Sequence, residues 1–296
     1  MNHCPDWATA LCNGFSQIFL QRHPLCGVLC LLAILISNPT LLGGALLGAV
    51  AGLLTAQRRG YEKSQRQAGL YSYNGVLLGL LLSHQLAWSA LLPLLIIASA
   101  GLSTLLVHQW LKRITQPYGL MLYTAPFVGL GWLLLGLHPA PEPVIELHTL
   151  NALTLGQALF KGVGQVMLLN HPLAGLLIVI GLWLSHWRSA VWLLIGSLAG
   201  LGWSLYQQDV GAALSGLGGY NTALTALALS LQGRRPWLPL IGIVVALLLT
   251  PAISALGLPL LTAPFVLSCW LISSGVRLLS RKGVETKAQS RLRIER

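Results

Sequence analysis

The chain has 296 residues, of which 55% are hydrophobic and 8% charged, with a mean hydropathy of +0.71. A soluble globular protein carries about 25% charged residues. This composition is that of an integral membrane protein, and at about 20 residues per spanning helix the length holds at most about a dozen spans and leaves no room for a large soluble catalytic domain. The net charge of +11 is compatible with nucleic acid, anionic lipid or membrane orientation as partner, and the placement of the charges decides among them.

In chain order, hydropathy predicts a short amphiphilic piece near 7–20, then apolar helices near 23–37, 39–57, 69–83, 88–111 and 117–137. A polar linker, 138–155, separates these from a second short piece near 157–169. Apolar helices follow near 172–186, 189–206, 212–231, 236–255 and 258–279, and a basic tail occupies 280–296. The expected fold is therefore an all-α integral membrane protein of ten transmembrane helices and two tilted half-helices. Its first repeat is 1–137 and its second 156–279.

The two halves carry the same landmarks in the same order. Gln17 followed by His23-Pro24 recurs as Gln165 followed by His171-Pro172, at an offset of 148 residues. Tyr73-Asn74 with Leu77 recurs as Tyr220-Asn221 with Leu224, at an offset of 147. Thr124-Ala125-Pro126-Phe127 recurs verbatim as Thr262-Ala263-Pro264-Phe265, at an offset of 138. Such self-similarity marks an internal duplication. With five spans per half, the second half enters the bilayer from the opposite side, so the expected repeats are inverted in topology.

Charge placement agrees with that threading. Ten spans put seventeen of the eighteen Lys and Arg on one side, with Lys161 alone among basic residues on the other beside Glu142, Glu146 and Asp209. Lys and Arg in short loops favour the cytoplasm, so both termini are expected there, and the net charge is explained by topology without a nucleic-acid partner. The five cysteines form no CxxC pair and read as small buried hydrophobes.

Ionisable groups inside a membrane mark ion coupling and proton relays. None of the seven acidic residues falls within a predicted span. A P-loop, an HExxH and a Ser, His and Asp set at one plausible site are also absent. The chain reads as a passive conduit with no cofactor and no metal, rather than an enzyme or an ion-coupled carrier. Gln17 and Gln165 each precede a Pro that a helix cannot continue through. A half-helix broken there leaves carbonyls unpaired, which is tolerable where they line a cavity or meet a ligand. The Gln side chains would extend that row of acceptors, or would bond between helices. Leu20 and Leu168 sit three residues beyond the two Gln, while Tyr73 with Leu77 and Tyr220 with Leu224 are four apart and share a helical face. These are candidate apolar walls, with ordinary packing as the other reading. Thr124 and Thr262 are candidates for a hydroxyl pair at the midpoint, although Thr also bonds back to its own helix. His23 and His171 would line the route or cap the broken helices.

These motifs, with Gly164-Gln165-Val166-Met167 leading to Asn170-His171-Pro172-Leu173-Ala174-Gly175 and the two Tyr-Asn segments 69–75 and 216–222, resemble the urea transporter family over nearly the whole chain. The resemblance implies a homotrimer with one constricted pore per protomer, in the bacterial inner membrane. It also implies urea as the solute, passing in single file between apolar slots and facing an acceptor row. By the same resemblance, the acceptor Gln falls on Gln17 and Gln165, the central Thr on Thr124 and Thr262, and the slots on Leu20, Leu168, Tyr73, Leu77, Tyr220 and Leu224. The family usually has Phe at several of these slot positions, where this chain has Leu and Tyr. A pore for other short amides, ammonia or water is the alternative of the same class.

Overall fold

The computed structural model describes residues 6–114, 120–136, 150–233 and 235–294, with side chains described as far as Leu278. Every described element is helical. The first helix, α1 (Asp6–Ser16), tightens into a 3-10 turn at Gln17–Phe19 and stops at Leu20, which adopts a left-handed conformation with φ 57°. The chain then runs extended through His23, and α2 (Pro24–Ser37) starts with Pro24 in its first turn, where the missing N–H leaves no bond unmade. The His23 ring accepts the Cys26 N–H at 3.4 Å and caps α2. The two helical stretches meet at a bend of 77°.

The second half repeats this local structure. Helix α8 (Ala152–Gly164) tightens at Gln165–Met167, stops at Leu168 with φ 61°, and yields to Pro172 at the start of the long helix α9 (Pro172–Tyr206). The correspondence extends into backbone angles. Asn38, which separates α2 from α3 (Leu42–Arg58), has φ −156° and ψ 94°. His186, 148 residues later, has φ −160° and ψ 99° and bends α9 at the equivalent point. The expected helices near 172–186 and 189–206 are therefore two segments meeting at His186.

The remaining helices are α4 (Lys63–Gln67), α5 (Tyr73–Gln85), α6 (Leu91–Ile114), α7 (Ala125–Leu135), α10 (Val210–Ser215), α11 (Tyr220–Ser230), α12 (Trp237–Ser254) and α13 (Ala263–Ile294). Helices α5 and α11 form the centre: Tyr73 through Leu82 and Tyr220 through Leu229 are buried without interruption. A helix apolar on every side belongs inside a protein or a membrane. Helix α5 packs against α3 and α6, α11 against α9 and α12, and α2 against α9, which joins the halves. Gln21 is buried at that junction, accepting from the Ser185 hydroxyl at 2.9 Å and donating to Ser189 at 3.4 Å.

Close crossings rest on glycine. A Cβ on Gly27 would land on the Cys12 carbonyl, and one on Gly175 would land on the Phe160 carbonyl 148 residues further on. Small residues at such crossings let backbones approach, which in a membrane takes the place of the hydrophobic drive between helices. On the outside, Leu94, Leu133, Leu184, Leu240 and Leu248 are exposed, as a lipid-facing surface requires.

Among the described residues, four helical stretches are long and apolar enough to cross a membrane: Pro39–Arg58, Leu91–Arg113, Pro172–Tyr206 and Trp237–Ser254. The bent pair at Asp6–Phe19 and Pro24–Ser37 makes a fifth if it counts as one span. Several other expected spans come out short. Helices α5, α7 and α11 have 13, 11 and 11 residues, so at 1.5 Å per residue each covers only part of a core about 30 Å thick. Most of the linker expected at 138–155 lies outside the described residues, and its last residues, from Ala152, belong to α8. Glu142, Glu146, Arg234 and the side chains of the basic tail also lie outside them, but the tail's backbone continues α13 to Ile294 rather than forming a separate segment.

Candidate functional site

Of the polar residues that the sequence pairs, the two threonines are brought together. The hydroxyls of Thr124 and Thr262 lie 2.6 Å apart, and both residues are buried. Each threonine immediately precedes a helix whose first turn contains proline, α7 or α13, and each follows a non-glycine residue with positive φ, Tyr123 at 48° and Leu261 at 42°. That sharp entry places the hydroxyls between the helix starts.

Reciprocal bonds surround the pair. The Asn74 side-chain oxygen accepts the Phe127 N–H at 3.3 Å, and Asn221 accepts the Phe265 N–H at 3.2 Å. The Trp132 indole donates to the Pro259 carbonyl and the Trp270 indole to the Met121 carbonyl, both at 2.8 Å. Trp132 and Trp270, like Met121 and Pro259, differ by 138 residues, the offset of the two threonines. Each half thus holds the other by the same indole bond.

The central tyrosines break this symmetry. The Tyr73 hydroxyl donates to the Tyr123 carbonyl. At the corresponding place in the second half, Leu261 O accepts from the Asn221 amide at 3.1 Å instead. Asn74, whose equivalent acceptor is taken by Tyr73, keeps a buried amide nitrogen without a partner.

Gln17 and Gln165 occupy the 3-10 turns that end the two half-helices, and both are buried. The Gln165 amide nitrogen donates to Ser215 O at 2.9 Å. Gln17, oriented with its nitrogen toward carbonyls, reaches Gln21 O at 3.2 Å and Ala68 O at 3.3 Å. Both side chains are therefore held by their nitrogen ends, and the Gln165 carbonyl oxygen accepts no bond among the described residues.

A cavity of about 380 Å³ joins Gln17, Leu20 and Tyr73, with Arg22 exposed at its edge. Leu168, three residues past Gln165, is half-buried, while Leu77 and Leu224 are fully enclosed in the main core. The cavity also includes two residues that the sequence reading did not select, Tyr123 and Gln232, whose side chains bond to each other at 2.7 Å. Tyr123 directly precedes the repeated Thr-Ala-Pro-Phe, and Gln232 repeats Gln85 at the 147-residue offset of the Tyr-Asn motif, so both were within reach of the duplication. Asn74 and Asn221 belong to the paired Tyr-Asn motif. Their role in tying down α7 and α13 depends on contacts that spacing does not show.

The electrostatics of this centre are neutral. The described acids lie away from it: Asp6 pairs with Lys63 at 2.6 Å on the outside, Glu62 is exposed beside α4, and Asp209 caps α10. No group of three or more His, Cys, Asp or Glu is placed to hold a metal among the described residues. Cys26, Cys30 and Cys269 are free thiols.

A shell of apolar helices around a buried, uncharged polar centre defines a helical integral membrane protein. Within that class, the chain belongs to the urea transporter family, which matches residues 8–275. It is similar to urea transporter 1 of Rattus norvegicus, with 28% identity over 247 residues, and to urea transporter 1 of Capra hircus, with 27% over 247 residues. Each alignment covers 76% of this chain, which spans 62% of the relative's length.

Proposed function

We propose that the protein conducts urea passively across the bacterial inner membrane, by a channel-like mechanism through one constricted pore in each protomer of a homotrimer. The observation that carries this reading is the Thr124 to Thr262 hydroxyl contact of 2.6 Å, a neutral polar pair buried where α7 and α13 begin. The family membership and the name shared by the relatives supply the solute.

In this reading ten spans form two inverted repeats, 1–137 and 156–279, joined by 138–155 and followed by a cytoplasmic tail from 280. The reciprocal Trp132 and Trp270 bonds support a two-fold relation between the halves, and the one-sided distribution of basic residues supports cytoplasmic termini. Homotrimer assembly and the bacterial inner membrane rest on the resemblance of the motifs, and lipid is the surrounding solvent.

Urea is small, planar and neutral, with four N–H donors and one carbonyl acceptor. Gln17, Gln165 and the carbonyls beside them replace water as acceptors for the N–H groups, and each buried N–H left unpaired would cost about 1–3 kcal/mol. One threonine hydroxyl donates to the other, so the second proton of the pair is available to the urea oxygen at the midpoint. Leu20, Leu168, Tyr73, Leu77, Tyr220 and Leu224 form the flat walls that fix the plane of the solute. An ion receives no such compensation: burying an unpaired charge costs several kcal/mol even after relaxation. Binding at each stage stays weak enough for release, as conduction requires.

The passive character is tested by labelled urea in proteoliposomes with imposed proton or sodium gradients. The inside concentration is expected to stop at the outside value in every case. Accumulation above it with either gradient would replace the channel with an ion-coupled carrier.

A further inference from the structure

A second cavity, of about 390 Å³, opens beside the bend in α9. His186, Arg188 and Trp192 line it from α9, Ser230 from the end of α11, and Arg235 from the approach to α12. His186 is the residue at which α9 breaks, and its ring lies 3.3 Å from the Ser189 hydroxyl. The conduction reading assigns none of these side chains.

Two observations say what would fill this space. The Arg188 and Arg235 guanidinium groups are exposed and form no ion pair or hydrogen bond with a described residue; Arg188 rests over the Trp187 ring at 5.8 Å. The described carboxylates Asp6, Glu62 and Asp209 are all committed or placed elsewhere in the fold. Next to lining residues in the chain, Trp187 between His186 and Arg188, Trp237 after Pro236 and Leu240 after Pro239 are exposed apolar side chains. Tryptophan concentrates where hydrocarbon meets headgroups, and basic pockets between helices at that depth suit lipid phosphates.

We propose that this cavity binds the phosphate headgroup of an anionic phospholipid. Arg188 and Arg235 take the phosphate oxygens, His186 adds a ring nitrogen at the bend, and the acyl chains lie along the tryptophan and leucine rim. A free anion would use the cations but gain nothing from the rim, and for that reason the lipid is the occupant. Through Ser189 the site touches the junction at Gln21, so the bound headgroup also braces the contact between α2 and α9.

The test is native mass spectrometry and thermal unfolding of the full-length protein with phosphatidylglycerol, phosphatidylcholine or inorganic phosphate as probe. Retained phosphatidylglycerol, with a raised unfolding temperature that phosphatidylcholine and phosphate do not reproduce, is expected. Each basic residue contributes roughly 5-fold to affinity for an anionic surface, so the Arg188→Gln, Arg235→Gln double variant should weaken retention by roughly 25-fold. The Arg58→Gln, Arg59→Gln variant, which removes two exposed arginines elsewhere, should retain the lipid. If the double variant does not fold, Arg235→Gln alone should weaken retention by roughly 5-fold. Equal retention by the cavity variants and the Arg58, Arg59 variant would overturn the proposal, and so would stabilisation by inorganic phosphate equal to that by the lipid.

Discussion

At the residue scale, the central threonines and tyrosines carry distinct demands. Thr124→Val removes one hydroxyl and leaves Thr262 buried without its partner, at a cost of about 1–3 kcal/mol. Urea flux in proteoliposomes should fall for Thr124→Val and for Thr262→Val, and Thr124→Ser should restore most of it. Tyr73→Phe should behave differently. The Tyr123 carbonyl would lose the Tyr73 hydroxyl, but the unpartnered Asn74 amide lies at the place from which Asn221 bonds Leu261 O in the other half. With that amide taking over, thermal unfolding should change by less than about 1 kcal/mol, within the ordinary worth of one exchanged hydrogen bond. A large destabilisation would mean that the two asparagines are not equivalent.

At the element scale, the broken helices depend on local rules that the sequence displays. Gln17 and Gln165 each stand a few residues before a Pro that begins the next helix, so the half-helices and their ends were legible from spacing. The left-handed Leu20 and Leu168 were not, because nothing in a leucine announces positive φ; at Leu20 the demand comes from the 77° bend between the two helical stretches. The long α9 was legible as two apolar stretches and not as one helix bent at His186. Helix α5 was legible by its apolar run but not by its length, since burial on all sides removes the need for it to cross the bilayer alone. Glycines decide how close the elements come. Gly175→Ala drives a methyl into the Phe160 carbonyl, and Gly27→Ala does the same at Cys12. Both variants should lower the unfolding temperature in detergent and reduce the yield of assembled protein, whereas Gly202→Ala, where a Cβ meets nothing within 4 Å, should leave both unchanged.

At the scale of the whole molecule, the halves are held together by bonds that cross between them, and these belong to contact rather than to sequence pattern. The indole bonds of Trp132 and Trp270 each span more than a hundred residues of chain. Interhelical hydrogen bonds in membrane proteins are worth about 0.6 kcal/mol on average and up to about 1.7, so Trp132→Phe and Trp270→Phe should each destabilise by an amount in that range. Their effects should add in the double variant if the two bonds are independent. Thr124 and Thr262 repeat with verbatim neighbours in the sequence, and in the fold their hydroxyls lie 2.6 Å apart. Gln232 repeats Gln85 at the offset of the Tyr-Asn motif, but its bond to Tyr123 at the cavity could be found only in three dimensions.

The central claim is that this assembly of neutral polar groups carries urea. Stopped-flow light scattering of proteoliposomes containing the folded protein, against empty liposomes and with a urea analogue as competitor, tests it most directly with no ion gradient imposed. The account predicts urea entry much faster than through lipid alone and slowed by the analogue. Entry no faster than in empty liposomes, from protein shown to be folded, would contradict it.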